Sequence, residues 1–207
     1  MFCFSITIVL ATLTSGIIAS PTNTTAPLLK NYGILLYRHY DFQDVSGPLE
    51  VLYGVSYTHQ INLFLLAETM APVETRPREP HPLNSTVYAS VLPTHTFADA
   101  PDLDVLIIPG GNVRAPETLL EAELDYIRET YPKVQYLITV CTGSALLART
   151  GILDGRRATT NKTSWKDVVQ FGPLVKWVAP ARWVVDGNIW TAAGVSAAVM
   201  CFMDAVD

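Results

Sequence analysis

The sequence predicts an α/β fold in which helices cover both faces of a mainly parallel central sheet. Three observations carry that prediction. Short apolar runs rich in Ile, Leu and Val alternate with helical patterns along the chain. Several of these runs are apolar throughout, which marks strands buried on both faces. The run Tyr136 to Val140 then passes through Cys141 and small residues directly into a helical pattern, the shape of a nucleophile elbow. Together they describe a flavodoxin-like three-layer sandwich.

Taken in order, Tyr32 to Tyr37 is the first strand and Ile61 to Ala67 the second. Between them, Gly47 to Val55 reads as a helix with Pro48 in its first turn, where a missing N–H costs nothing. This makes a βαβ unit. Glu68 to Ser90 is rich in Pro and interrupted by Arg76, Arg78 and Glu79, so it reads as loops or short edge strands. Val105 to Ile108 is a buried strand that ends in Pro109-Gly110-Gly111. Glu117 to Thr130 follows as an amphipathic helix with Leu119, Leu120, Leu124 and Ile127 at helical spacing. After the Cys141 strand, Ala145 to Leu147 reads as a short helix stopped by Gly151. Ser164 to Phe171 reads as another helix, and Lys176 to Val178 and Trp183 to Val185 as strands. Asp186-Gly187-Asn188 is a hairpin turn from which Ile189 to Ala192 pairs back.

The first residues are apolar, exit through small residues near Ala19 and give way to polar sequence, so residues 1–19 are expected to be a signal peptide. Asn-x-Ser/Thr sequons at Asn23, Asn84 and Asn161 fit passage through a glycosylating compartment, and a secreted or secretory-pathway protein is expected. Asn23 and Asn84 lie in polar stretches and are expected to carry glycans. The remainder is long enough for one domain, expected over 32–207 with its final helix cut short at Asp207. Of three cysteines Cys3 falls in the leader, which leaves Cys141 and Cys201 and no disulfide framework. A net charge of −5 without a Lys/Arg cluster excludes a nucleic-acid surface, and no stable membrane association is expected once the leader is removed.

Cys141 stands at the carboxyl end of a central strand, the edge of open α/β sheets where ligands bind. A thiol at a helix N-terminus also faces the positive end of the dipole, which favours thiolate. Further motifs surround it in order: Asp44-Val-Ser-Gly-Pro-Leu-Glu-Val51, Ile108-Pro-Gly-Gly111, Val140-Cys-Thr-Gly-Ser144, Gly151 to Thr160, and Trp183 to Ala197. With these motifs the chain resembles the ThiJ/PfpI superfamily, of the class I glutamine amidotransferase-like fold, and within it isonitrile hydratases and their fungal relatives. The resemblance covers about Tyr32 to Ala198.

It implies a nucleophilic Cys141, a carboxylic acid from the first βα loop falling on Asp44, and substrate- or oxyanion-binding N–H groups from Gly110, Gly111 and Thr142. A carboxyl beside a thiolate resists ionisation, so Asp44 is expected to hold its proton, hydrogen-bond the sulfur and later deliver that proton. The thiol is then expected below about 8.5 and Asp44 above about 3.9. Many members of the superfamily carry a histidine after the nucleophile; here Asn161 stands at about that position. All four histidines, His39, His59, His81 and His95, precede Cys141 and read singly as surface residues. That weakens amidase and protease readings, which need an imidazole base.

The implied activity is a cofactor-independent thiol lyase in which Cys141 attacks the terminal carbon of an isonitrile. Asp44 helps protonate the developing nitrogen anion, and water resolves a thioimidate to an N-substituted formamide. A glyoxalase-like, carbonyl-directed thiol enzyme and a non-enzymatic redox-sensing or stress-protective homodimer remain open beside it. A small-molecule substrate and a homodimer are the expected partners. Gly194-Val-Ser-Ala-Ala198 lacks the last glycine of a Gly-x-Ser-x-Gly elbow, and no zinc or phosphate-loop motif occurs, so no metal and no cofactor are expected.

Overall fold

The fold is built on one seven-stranded sheet, seen in a computed structural model that describes residues 29–206 apart from 82 and 113. The expected signal peptide and Asn23 lie outside the described residues. In chain order the strands of this sheet are β1 (Asn31–Leu35), β2 (Asn62–Ala67), β5 (His95–Thr96), β6 (Val105–Ile108), β7 (Tyr136–Val140), β10 (Trp183–Asp186) and β11 (Ile189–Ala192). Their spatial order is β10-β11-β7-β6-β1-β2-β5, parallel throughout except for the β10–β11 hairpin. The centre is apolar on both faces: every residue of β6 is buried, as are Leu137 to Val140 of β7. Burial on both faces explains why these strands read as continuous apolar runs.

Around the sheet lie α1 (Phe42–Ser56), α2 (Glu121–Thr130), α3 (Gly143–Arg149), α4 (Trp165–Val169) and α5 (Val195–Val206). Helix α5 packs on α1, where a Cβ on Gly47 would stand 2.6 Å from Val195 Cγ1. The absent side chain of Gly47 is what lets the two helices approach.

The structure corrects two of these readings and adds detail to two more. Helix α1 begins at Phe42, five residues before Gly47, so buried Pro48 lies inside it and Asp44 sits in its first turn and not in the preceding loop. Pro48 lacks the N–H that would bond the carbonyl of Asp44 four residues earlier, so it removes one helical bond next to the site. The helix expected over Glu117–Thr130 is divided: Glu117–Leu119 forms a 3₁₀ turn, Leu120 leaves helical geometry with φ −130°, and Leu119 is exposed while Leu120 is buried. Lys176 and Trp177 form β9, which joins the main sheet nowhere and pairs instead with β8 (Arg157–Ala158). The Pro-rich excursion contains one antiparallel pair, β3 (Val73–Glu74) with β4 (Ser90–Val91).

Candidate active site

Cys141 follows β7 with φ +56°, a left-handed backbone rare for a residue with a side chain. Two connections hold the turn. Its N–H donates to Ala192 O on β11 at 2.9 Å, and its own carbonyl accepts the Thr160 hydroxyl at 3.1 Å and the Ser144 hydroxyl at 3.4 Å. A Cβ on Gly143 would collide with the carbonyls of Ile108 and Pro109, so only glycine lets α3 start this close to β6. The strained backbone lifts the sulfur off the strand end, and Cys141 retains 9% exposure.

Asp44 reaches the same point from α1 and is 2% exposed. Its Oδ2 accepts the Gly110 N–H at 2.9 Å, and its carboxyl hydrogen-bonds Cys141. The Gly111 N–H donates to Thr142 Oγ1 at 2.9 Å, and the Thr142 hydroxyl in turn donates to Gly111 O at 3.2 Å. Both glycine N–H groups expected to face an oxyanion are therefore committed to protein acceptors. Their observed work is to position Asp44 and Thr142. Near the sulfur the donors are the Thr142 N–H and the Asn161 side-chain amide. Asn161 Oδ1 accepts the N–H groups of Thr163 (2.9 Å) and Ser164 (3.1 Å), which turns the amide nitrogen toward Cys141 and the Ala193 carbonyl.

Burial drives Asp44 up to about 7, opposed by the Gly110 N–H and reinforced by the charge of Asp41. That direction agrees with the sequence. The thiol moves the other way: burial, and after it the Asp44 carboxylate, push Cys141 up to about 12. The Thr142 N–H and the Asn161 amide pull it down without overcoming those causes. Helix α3 has only seven residues, so its dipole enters mainly through that one N–H. The resting pair is thus a neutral thiol beside a carboxylate that titrates near neutrality.

Sequence reasoning missed two neighbours. Asp41, the N-cap residue of α1, donates its N–H to Gly110 O at 2.8 Å and accepts the Asp44 N–H at 3.0 Å. One carboxylate oxygen of Asp41, one of Asp44 and Cys141 Sγ all lie within 4.8 Å of one another. The signal was the spacing of three between Asp41 and Asp44, which places both on one helix face once the helix starts at Phe42. His39 is half-buried with φ +69°, where the Glu74 carbonyl takes its N–H at 2.9 Å and the Asn112 N–H binds its carbonyl at 3.0 Å. Its charge acts on Asp41, so it belongs to the site's margin, unlike exposed His59 and His81. Of the sequons, Asn84 is exposed with φ +51°, whereas the Asn161 amide is turned inward.

A family model for the DJ-1/PfpI family matches residues 44–206, a range that includes Asp44, the Gly110-Gly111 loop, Cys141 and Asn161. The chain belongs to the DJ-1/PfpI family. It is 32% identical to isonitrile hydratase of Pseudomonas putida over 167 residues, 81% of this chain and 66% of that protein. It is 34% identical to a deglycase of Pyrococcus horikoshii over 104 residues, 49% of this chain and 59% of the other. The chain thus spans just under two thirds of the length of these relatives. Among solved structures, a ThiJ/PfpI family protein from Pseudomonas syringae superposes with a TM-score of 0.67 at 25% identity, covering 94% of this chain and 75% of that one. An AraC family transcriptional regulator from Pseudomonas putida superposes with a TM-score of 0.66 at 19% identity, covering 86% of this chain and 90% of its own. DJ-1/PfpI folds therefore serve unlike tasks, and the site has to decide the function.

Proposed function

We propose that the chain is a thiol-dependent hydratase that converts an isonitrile, R–N≡C, to the formamide R–NH–CHO. The observation that carries this reading is the buried Cys141–Asp44 hydrogen bond, with the carboxyl near 7 and an amide, Asn161, where an imidazole base would be needed for amide hydrolysis. The 32% identity to isonitrile hydratase supports it.

Because the thiol is neutral at rest, Asp44 acts first as base. Its carboxylate accepts the Sγ proton as sulfur bonds to the terminal carbon, which avoids a free thiolate in a buried, acidic site. The same proton is then returned to the substrate. Addition of a thiol to an isonitrile puts sulfur and hydrogen on the same carbon, so the proton goes to that carbon and gives R–N=CH–S–Cys141. The nitrogen is protonated only when water adds. Collapse to R–NH–CHO breaks the C–S bond and restores the thiol. The Thr142 N–H and the Asn161 amide stabilise sulfur while it carries partial negative charge.

A thiol raised to about 12 resists oxidation, which follows thiolate character, and this counts against the redox-sensor reading. Similarity to deglycases keeps a carbonyl-directed reaction of the same sulfur as the second reading. A small-molecule substrate, a homodimer and entry into the secretory pathway belong to the proposal as well, the last supported by the exposure of Asn84. The test is incubation of the purified protein with cyclohexyl isonitrile, with formamide followed by NMR. Formation by wild type and none by Cys141→Ala is the expected result. No formamide, together with Cys141-dependent loss of methylglyoxal, transfers the assignment to the carbonyl reaction.

A further inference from the structure

We propose that Asp41 is a second catalytic carboxylate, the base that takes a proton from the water that resolves the thioimidate on Cys141. This rests on the isonitrile-hydratase reading.

That reaction needs two proton transfers that a single carboxyl cannot serve equally. The first is between sulfur and substrate carbon, inside the protein, where Asp44 is 2% exposed and bonded to Cys141. The second involves a water that arrives from solvent after the carbon has bonded to sulfur. Asp44 is poorly placed for it, with Oδ2 occupied by the Gly110 N–H and almost no surface open to water. Asp41 has the opposite setting. It is solvent-exposed, yet one of its carboxylate oxygens lies within 4.8 Å of Cys141 Sγ. A water that is hydrogen-bonded to Asp41 and adjacent to a carbon on Sγ needs two contacts of about 2.6–3.2 Å meeting at an angle, and this span accommodates them.

The backbone fixes Asp41 there. Its N–H is held by Gly110 O and its carbonyl by the Asp44 N–H, so it is tied to the same loop and helix turn as the first carboxylate. Although it is the N-cap residue of α1, its side chain makes no capping hydrogen bond. The carboxylate is thereby left to face the site. Four ionisable groups surround it: Asp44 from α1, Cys141 from the elbow, and Tyr37 and His39 from the segment before α1. Partial burial of its carboxyl raises Asp41 above the usual carboxylate value, and the His39 imidazole restrains the rise.

The step balances. Water gives one proton to Asp41 while its oxygen bonds to the thioimidate carbon. Asp41 passes that proton to the imine nitrogen and forms R–NH–CH(OH)–S–Cys141. The hydroxyl proton then leaves through Asp44 to sulfur as the C–S bond breaks, so Asp41, Asp44 and the thiol all return to their starting states.

Rapid mixing with cyclohexyl isonitrile, read by intact-protein mass spectrometry and by formamide release, separates the two stages. Asp41→Asn is expected to gain one isonitrile mass on Cys141 as fast as wild type, in a burst of one equivalent. It should then release formamide more slowly by something on the order of 10²-fold, the scale of a lost general base. Asp41→Ser, which retains an N-cap side chain, should show the same split. Release at the wild-type rate by both variants, or equal slowing of adduct formation and release, overturns the assignment of Asp41 alone. A wild-type protein that forms neither adduct nor formamide overturns the isonitrile reading, and this inference with it.

Discussion

Asp44→Asn should make the protein more stable and less active. Asparagine fills the same space, retains an oxygen for the Gly110 N–H and offers an N–H to the sulfur, but it never has to ionise inside the protein. The native carboxyl is raised from 3.8 to about 7, with burial as the leading cause. Folded protein therefore binds this proton more tightly than unfolded chain does. Below about pH 4 both states hold it and the residue is neutral in the balance; as pH rises from about 4 to about 7 the wild type loses stability, and above 7 the loss is complete. Roughly three pKa units at about 1.36 kcal/mol each give a ceiling of about 4 kcal/mol. At about 2–4 °C per kcal/mol for a domain of this size, Asp44→Asn should melt up to about 16 °C higher at pH 8 and close to wild type at pH 4. Denaturant melts followed by circular dichroism across that range measure the difference directly. A gap between the two proteins that stays constant from pH 4 to pH 8 would refute the buried-carboxyl argument, whatever the variant does to turnover.

Two further outcomes follow from the same site. With its thiol at about 12, Cys141 should react with iodoacetamide at pH 7 roughly 10³-fold more slowly than free cysteine, and Asp44→Asn should accelerate it by removing a like charge; a wild-type alkylation profile that levels off below pH 9 would contradict this. Gly110→Ala places a methyl group 2.5 Å from Asp44 Oδ2 and 2.7 Å from Thr142 Oγ1, so it should displace both side chains, cost about 1–3 kcal/mol and depress turnover, and wild-type kinetics in this variant would remove the glycine loop from the site.

Much of the fold was legible because its centre is apolar on both faces. Strands β6 and β7 announced themselves as apolar runs, and Asp186-Gly187-Asn188, with Gly187 at φ +62°, gave the hairpin from which β11 returns. The two-residue strands β5 and β8, and the pairing of β9 with β8, were harder. Each depends on a partner distant in sequence, and no periodicity fits in two residues. Pro48 misled the reading of α1, since its usual meaning as a start signal was overridden by a helix that begins earlier and tolerates it internally. In the site, Cys141 and Asp44 could be found from motifs, whereas Asp41 became visible only once the helix start was known. The direction of the Cys141 shift was not readable at all: a helix N-terminus is a local feature, whereas the burial and the carboxylates of Asp44 and Asp41 that outweigh it arise from contacts distant in sequence.

The Ala192 carbonyl that holds the Cys141 N–H has a consequence for when this protein acquires its chemistry. A ribosome makes Cys141 about fifty residues before Ala192, and makes Val195, which rests against Gly47 of the helix that bears Asp44 and has Asp41 as its N-cap residue, later still. Through most of synthesis the cysteine is an ordinary thiol on an unlatched strand. Only when the last hairpin and α5 dock are the elbow and the acid-bearing helix braced together. The reactive centre is thus timed by chain order, and the β10–β11 hairpin with α5 acts as the bolt that closes it.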